Sequence, residues 1–464
     1  MADKKNVQPL YQGPGRSTFS GKLGFVLSAA GSAVGLGNIW RFPYLAAKYG
    51  GGIFLLVYLI LMLTFGYTMI VAETALGRMT KKSPVGAYQH FGKTGFLKFG
   101  GWINAIIPIL IVPYYSVIGG WVLKYLFEYV IGNTQAVAAD GYFGGFITQA
   151  APVELFFVLF SLANIVTIYM GVQNGIERVS KAMMPLLVIL AIFVAAYSVT
   201  RPGAMEGVKY FLVPNLEHFS WMTVVSAMGQ MFYSLSIAMG ILVTFGSYMK
   251  NELDVEKSTT QVEIFDTGIA ILAGLMIIPA VFAFNGGDPN TLKAGPSLMF
   301  ITLPQVFASM GLGRLGGIMF FLLVLFAALT SAIALTESAV STFEDELGWD
   351  RKKASIVMGV IIIGLGTLST FGYSIWSSFT IIGMQILDFF DFLTNSVMMP
   401  IAAFCNCVLI VKVVTLVRLD AEIEQSSEFK RKPVFHICIR YVAPLFTAII
   451  LASSVASAFG LLTL

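Results

Sequence analysis

The chain has 464 residues, of which 57% are hydrophobic and only 12% charged, with a mean hydropathy of +0.80. Soluble globular domains carry about 25% charged residues, so this composition excludes a soluble enzyme or a nucleic-acid-binding protein and describes a chain resident in a bilayer. The net charge of +4 comes from loop lysines and arginines, and no nucleic-acid partner is expected.

A polar tail, 1–20, precedes the first apolar run, and that run is too long for a cleaved signal peptide. Runs near the roughly 20 residues that cross a membrane are read at 23–48, 52–77, 100–131, 153–172, 182–200, 220–248, 262–284, 313–342, 354–372, 386–416 and 440–463. Eleven spans are thus expected, in one membrane domain covering 21–464. Most of the 29 lysines and arginines fall in alternate loops, among them Lys81, Lys82, Arg178, Lys181, Arg351–Lys353 and Lys430–Lys432. By the positive-inside rule the N-terminus is cytoplasmic and the C-terminus outside. Cys405, Cys407 and Cys438 lie near the last two spans on the inner side, and no structural disulfide is predicted.

In the first span, GSAVGLGNIWRFPY (31–44) sets Gly31, Gly35, Gly37, Asn38, Arg41 and Pro43 in apolar surroundings. Each glycine costs about 1 kcal/mol of helix propensity and a proline about 3. The apolar run breaks over residues 33–37, and backbone freed there must be satisfied by protein, water or an ion. A similar interruption, GQMFYSLSIAMG (229–240), falls in the sixth span. Breaks in the first helices of two five-helix halves mark inverted-repeat transporters; small residues that let helices pack closely would leave the same trace.

Together with PYYSVIGGW (113–121), FAALTSAIAL (326–335) and DFLTNSVMMP (391–400), these segments resemble the neurotransmitter:sodium symporter family, in its bacterial amino-acid-transporting branch. The likeness runs through the chain apart from the polar tail, with eleven helices where many members have twelve. It implies an all-α fold with a 5+5 inverted repeat (21–200 and 218–416), broken helices 1 and 6, and an eleventh helix at 437–464.

The resemblance also implies two sodium sites. One would use Ala33, Asn38, Ser234 and Asp266; the other Gly31, Val34, Ala327, Thr330 and Ser331. Members commonly carry asparagine where this chain has Asp266. An acid in mid-span is a functional hypothesis by default, and here it would supply the negative charge that chloride supplies elsewhere, so no chloride is expected. The carboxylate of an amino acid would meet Leu36, Gly37 and the Tyr115 hydroxyl at a half-helix N-terminus. Gly35 replaces the aspartate of monoamine-carrying relatives. Ala33, Ile111, Phe232, Tyr233, Ser236, Met239, Ser331 and Leu335 would complete a mostly apolar pocket for a hydrophobic or aromatic L-amino acid.

An outer gate would pair Arg41 with Asp391 above Tyr115 and Tyr233. An inner gate would pair Arg16 with Asp345 beside Phe19 and Tyr248. Gly175 and Pro185, in a glycine-x9-proline spacing, would let the fifth helix unwind to release sodium. The implied function is sodium-coupled amino-acid uptake by alternating access across a bacterial inner membrane. A proton-coupled carrier would replace Thr330 and Ser331 with a basic residue; an amino-acid-gated channel or sensor could share the fold. An enzyme would need a buried catalytic cluster, which His90, His218 and His436 do not form.

Overall fold

The computed structural model describes residues 17–286 and 295–459, and Arg16 lies outside them. Among the described residues all named elements are helical. The first apolar run forms α1 (Lys22–Ala33) and α2 (Gly37–Lys48), bent by 53° at the break. Long helices follow: α3 (Gly52–Thr80), α4 (Gly95–Ile131), α5 (Ala150–Tyr169) and α6 (Val172–Val199). The sixth run is α7 (Trp221–Ser234) and α8 (Ile241–Ser247). Then come α9 (Val255–Asn285), α10 (Gly313–Leu347), α11 (Arg351–Gly372), α12 (Ile386–Val414) and α13 (Lys432–Ala458).

Nine of these helices are long and apolar enough to cross a membrane, or ten if α1 and α2 count as one bent span. Residues 220–248, expected as a single span, form two helices too short to cross singly, because the turn at 235–240 divides them. Several helices start earlier than expected, among them the one expected from 440, which begins at Lys432, and the one expected from 100, which begins at Gly95. The helix expected from 182 begins at Val172, and that expected from 262 begins at Val255. These last two added segments are rich in polar residues, which lower the hydropathy there although Glu177, Glu256 and Ser258 are buried.

α1, α3, α8 and α10 form the centre, buried over most of their length. Leu63, Val166, Phe193, Val360 and other exposed apolar side chains mark the outer surface, as expected where lipid replaces water. α3 and α8 meet backbone to backbone. A Cβ at Gly77 would lie 2.0 Å from Val243 O, and one at Gly246 would lie 2.3 Å from Thr74 O. All three cysteines are buried free thiols.

Backbone cannot yield as a flexible side chain does. Gly246→Val is therefore expected to cost at least the roughly 1–3 kcal/mol of overpacking and to lower the thermal unfolding midpoint in detergent. Gly364→Val, whose Cβ meets nothing within 4 Å, is the control that leaves it unchanged.

Candidate functional site

The two helix breaks face each other. In α7–α8, Ser236 and Ala238 take φ of 55° and 59°, left-handed values that strain a residue with a side chain. Hydrogen bonds hold them there. The Ser236 hydroxyl donates to Ser32 O at 3.0 Å, and the Ala238 N–H donates to Glu73 Oε1 at 2.9 Å. Asn406 Nδ2 donates to the same Glu73 oxygen at 2.8 Å. On the α1–α2 side, Gly35 N–H donates to Asn38 Oδ1 at 3.1 Å, and Gln230 Nε2 donates to Gly37 O at 2.9 Å. Glu73, Gln230 and Asn406 are fully buried and were not singled out from the sequence. Glu73 carried a readable signal all the same, as an acid in mid-span.

Between the breaks lies a cavity of about 30 Å³, the size of a water site. Ala33, Gly35, Leu36, Gly37, Ile111, Tyr115, Tyr233, Ser236, Met239, Ser331 and Leu335 line it, as expected, joined by Ser32, Ser234 and Ile241. Phe232 does not. It lines a second, larger cavity beside Arg41 and Asp391 instead, while its neighbour Tyr233 faces the small one. Leu36 N–H points to the Tyr115 hydroxyl at 3.4 Å. A Cβ at Gly35 would stand 2.8 Å from Ser331 Oγ and 3.2 Å from the Tyr115 hydroxyl, so glycine is what keeps this floor open.

Asp266 is wholly buried within α9 and so is not an acid at a water-exposed helix end. Three neutral donors converge on its carboxylate: Asn38 Nδ2 and Ser234 Oγ, each 2.8 Å from Oδ1, and the Tyr58 hydroxyl 3.2 Å from Oδ2. Asp266, Asn38 and Ser234 therefore form one oxygen-rich cluster carrying a formal negative charge and no basic side chain. A hard cation fits that donor set.

A second oxygen cluster lies where α10 crosses the first break. Ser331 Oγ is 3.3 Å from Gly31 O, 3.2 Å from Ser32 O and 3.4 Å from Val34 O. One hydroxyl proton cannot serve three carbonyls, and each distance is long for an O–H···O bond. Thr330 Oγ1 bonds back to Phe326 O at 2.9 Å and lies 3.2 Å from Ala327 O. The carbonyls and hydroxyls expected there are thus neighbours, again all oxygen. Among the described residues no group of three or more His, Cys, Asp or Glu could hold a metal ion.

The expected outer charge pair is not in direct contact. Arg41 sits over the Tyr233 ring, 5.2 Å from its centroid. Asp391 instead accepts from Asn395 Nδ2 at 2.6 Å and from the Tyr114 hydroxyl at 3.2 Å. Both charges line the second cavity, of about 370 Å³. Where an inner gate is expected, Phe19 packs edge-on against Tyr248 with centroids 6.0 Å apart, and Asp345 accepts from Ser83 N–H at 2.6 Å. The Tyr248 hydroxyl donates to Glu337 Oε1 at 2.6 Å, and Arg351 grips that carboxylate at 2.5 and 3.0 Å. Gly175 and Pro185 both lie within α6, which is helical throughout. The glycine has a packing reason as well, since its Cβ would lie 2.0 Å from Thr167 O.

The profile of the sodium:neurotransmitter symporter family matches residues 16–135 and 145–461. An uncharacterized sodium-dependent transporter of Bacillus subtilis is 34% identical over 97% of this chain and 98% of its own length. Another, from Methanocaldococcus jannaschii, is 30% identical over 95% and 90%. The human sodium- and chloride-dependent GABA transporter 2 is 27% identical over 92% and 78%. The crystal structure of MhsT in complex with L-phenylalanine superposes with a TM-score of 0.85 at 37% identity, covering 95% of this chain and all of that one. With its paired helix breaks and oxygen clusters, this chain belongs to the sodium:neurotransmitter symporter family and is a sodium-coupled membrane transporter, not an enzyme.

Proposed function

We propose that the protein carries a hydrophobic or aromatic L-amino acid into the cell together with two sodium ions, without chloride, by alternating access. The observation that carries this reading is the meeting of both helix breaks around one small, largely apolar pocket flanked by two all-oxygen clusters. The solute's carboxylate would lie at the N-terminal end of α2 beside Tyr115, and its side chain would face Ile111, Met239 and Leu335. The L-phenylalanine bound in MhsT accords with that lining. Met239 is unbranched and adaptable, which suits the widening that the closed pocket needs before it takes an amino acid.

One sodium would bind Ala33, Asn38, Ser234 and Asp266, the other Gly31, Val34, Ala327, Thr330 and Ser331. The Asp266 carboxylate draws in the kind of donors that would otherwise solvate an anion, which supports chloride independence. At about 100 mV each inward positive charge contributes about 2.3 kcal/mol, so two ions support steep accumulation.

In this reading the chain has eleven spans in a 5+5 inverted repeat (21–200 and 218–416), with a cytoplasmic tail over 1–20 and an extracytoplasmic C-terminus in a bacterial inner membrane. Arg41 and Asp391 close the outer side through Tyr233. Arg16, Asp345, Phe19 and Tyr248 close the inner side, and the Gly175–Pro185 stretch opens for sodium release.

Uptake into proteoliposomes tests the scheme. Accumulation of phenylalanine or leucine is expected to require sodium and to ignore replacement of chloride by gluconate; uptake driven by a pH gradient without sodium would overturn it. Asp266→Asn, which keeps an acceptor oxygen but removes the negative charge, is expected to cut chloride-free uptake at least about tenfold, the scale of a charged hydrogen-bonding group made neutral, and to make the remainder chloride-stimulated. Glu73→Ala leaves the Ala238 N–H without its acceptor and is expected to depress uptake about as strongly. Glu73→Gln, which keeps an acceptor oxygen, should retain most of it. Equal uptake by the two variants would remove Glu73 from the architecture of the break.

A further inference from the structure

Residues 18–20, just before α1, form a short strap whose backbone is taken up from two sides. From α6, Gln173 Nε2 donates to Thr18 O at 2.7 Å. The Glu177 carboxylate accepts the Ser20 backbone N–H at 2.8 Å and, in a short contact, the Ser20 hydroxyl. From the residues that follow α8, Tyr248 O accepts from Phe19 N–H at 3.2 Å, and Lys250 Nζ lies 3.4 Å from Ser20 O. Phe19 is wholly buried among Phe25, Phe245 and Tyr248.

Glu177 is 2% exposed although it sits near a helix start, with Lys181 paired to it one turn on at 2.6 Å. The room for it is made by α1. A Cβ at Gly24 would stand 2.4 Å from the carboxylate carbon. Glu177 is also the last residue of a π-helical turn, Val172–Glu177, that opens after Gly171 at φ 93°. One carboxylate therefore belongs to the wide turn of α6 and at the same time holds the entry to α1.

We propose that Glu177 is a positioning residue that makes the cytoplasmic ends of α1 and α6 open as one event. The π turn cannot unwind without withdrawing the acceptor from Ser20. Ser20 cannot leave without giving up both its bonds to that carboxylate, which packs against Gly24 of α1. Breaking the clasp releases the strap and the first turn of α6 together. The idea rests on the alternating-access reading above, but it concerns the clasp itself and not the solute carried.

Hydrogen–deuterium exchange on the full-length protein in nanodiscs, in sodium and in potassium, tests it without substrate, so its answer stands apart from the uptake assay. In the native protein, peptides covering 18–30 and 172–185 are expected to exchange in step. Glu177→Ala should speed both by about tenfold or more, as loss of a charge-assisted hydrogen bond predicts, while 95–131 keeps its protection. Ser20→Ala, which removes only the hydroxyl, should give a smaller rise, and combining it with Glu177→Ala should add little, because the two share one interaction. If Glu177→Ala does not fold, Glu177→Gln replaces it and should show the same paired rise on a smaller scale. Faster exchange in 18–30 with 172–185 still protected would overturn the coupling. So would no change in either peptide, or a rise spread equally over 95–131.

Discussion

Backbone amides and carbonyls that leave a helix inside a low-dielectric core must find other partners, and the rest of this structure depends on how that need is met. An orphaned group in such surroundings costs several kcal/mol, so two isolated breaks would not persist. Here each break supplies what the other lacks. Ser236 reaches from the α7–α8 turn to Ser32 O, while Gln230 reaches from α7 to Gly37 O. Asn38 caps Gly35 within its own break, and Glu73 takes the Ala238 N–H from α3. The pocket is the space left once these debts are settled, which is why it is small and sits where α1, α7 and α10 converge.

Asp266 is the second organising feature. A buried carboxylate is unfavourable unless it is paired or bonded, and its neighbours are neutral donors from three helices, Asn38, Tyr58 and Ser234. Their partial positive charges stabilise it, but they leave a formal negative charge for a cation to meet. The contrast with Glu337 is instructive. That acid is paired outright with Arg351 and joined to Tyr248, and Arg351 also bonds Ile168 O at 3.0 Å. A satisfied ion pair of that kind ties α10, α11, α5 and the end of α8 together and leaves no charge over.

Much of this was legible in the sequence because hydropathy and backbone chemistry are local. The apolar runs located the long helices, and the glycine-rich 31–38 placed the first break where the helix stops at Ala33. Eleven of the twelve residues expected at the pocket line it; Phe232 does not, since adjacent residues at a helix end face different ways. What stayed hidden depends on tertiary distance. Nothing in the sequence tells that Arg41 rests on Tyr233 while Asp391 bonds Tyr114 and Asn395. Lys181 counts among the loop charges in the sequence, yet it lies in α6, where it pairs with Glu177.

The glycine contact between α3 and α8 has a mechanical consequence. Gly77 against Val243 O and Gly246 against Thr74 O bring two backbones to a separation that no side chain cushions, so there is no lubricating layer along which one helix could slide or tilt past the other. The inner half of the sixth run thus shares the stiffness of the 29-residue helix beside it. A door hung between α1 and α8 has one leaf fixed to the wall. Any motion that parts α1 from α8 must be concentrated in the other leaf, the short α1, which is held at one end by a 53° bend and at the other by a three-residue strap.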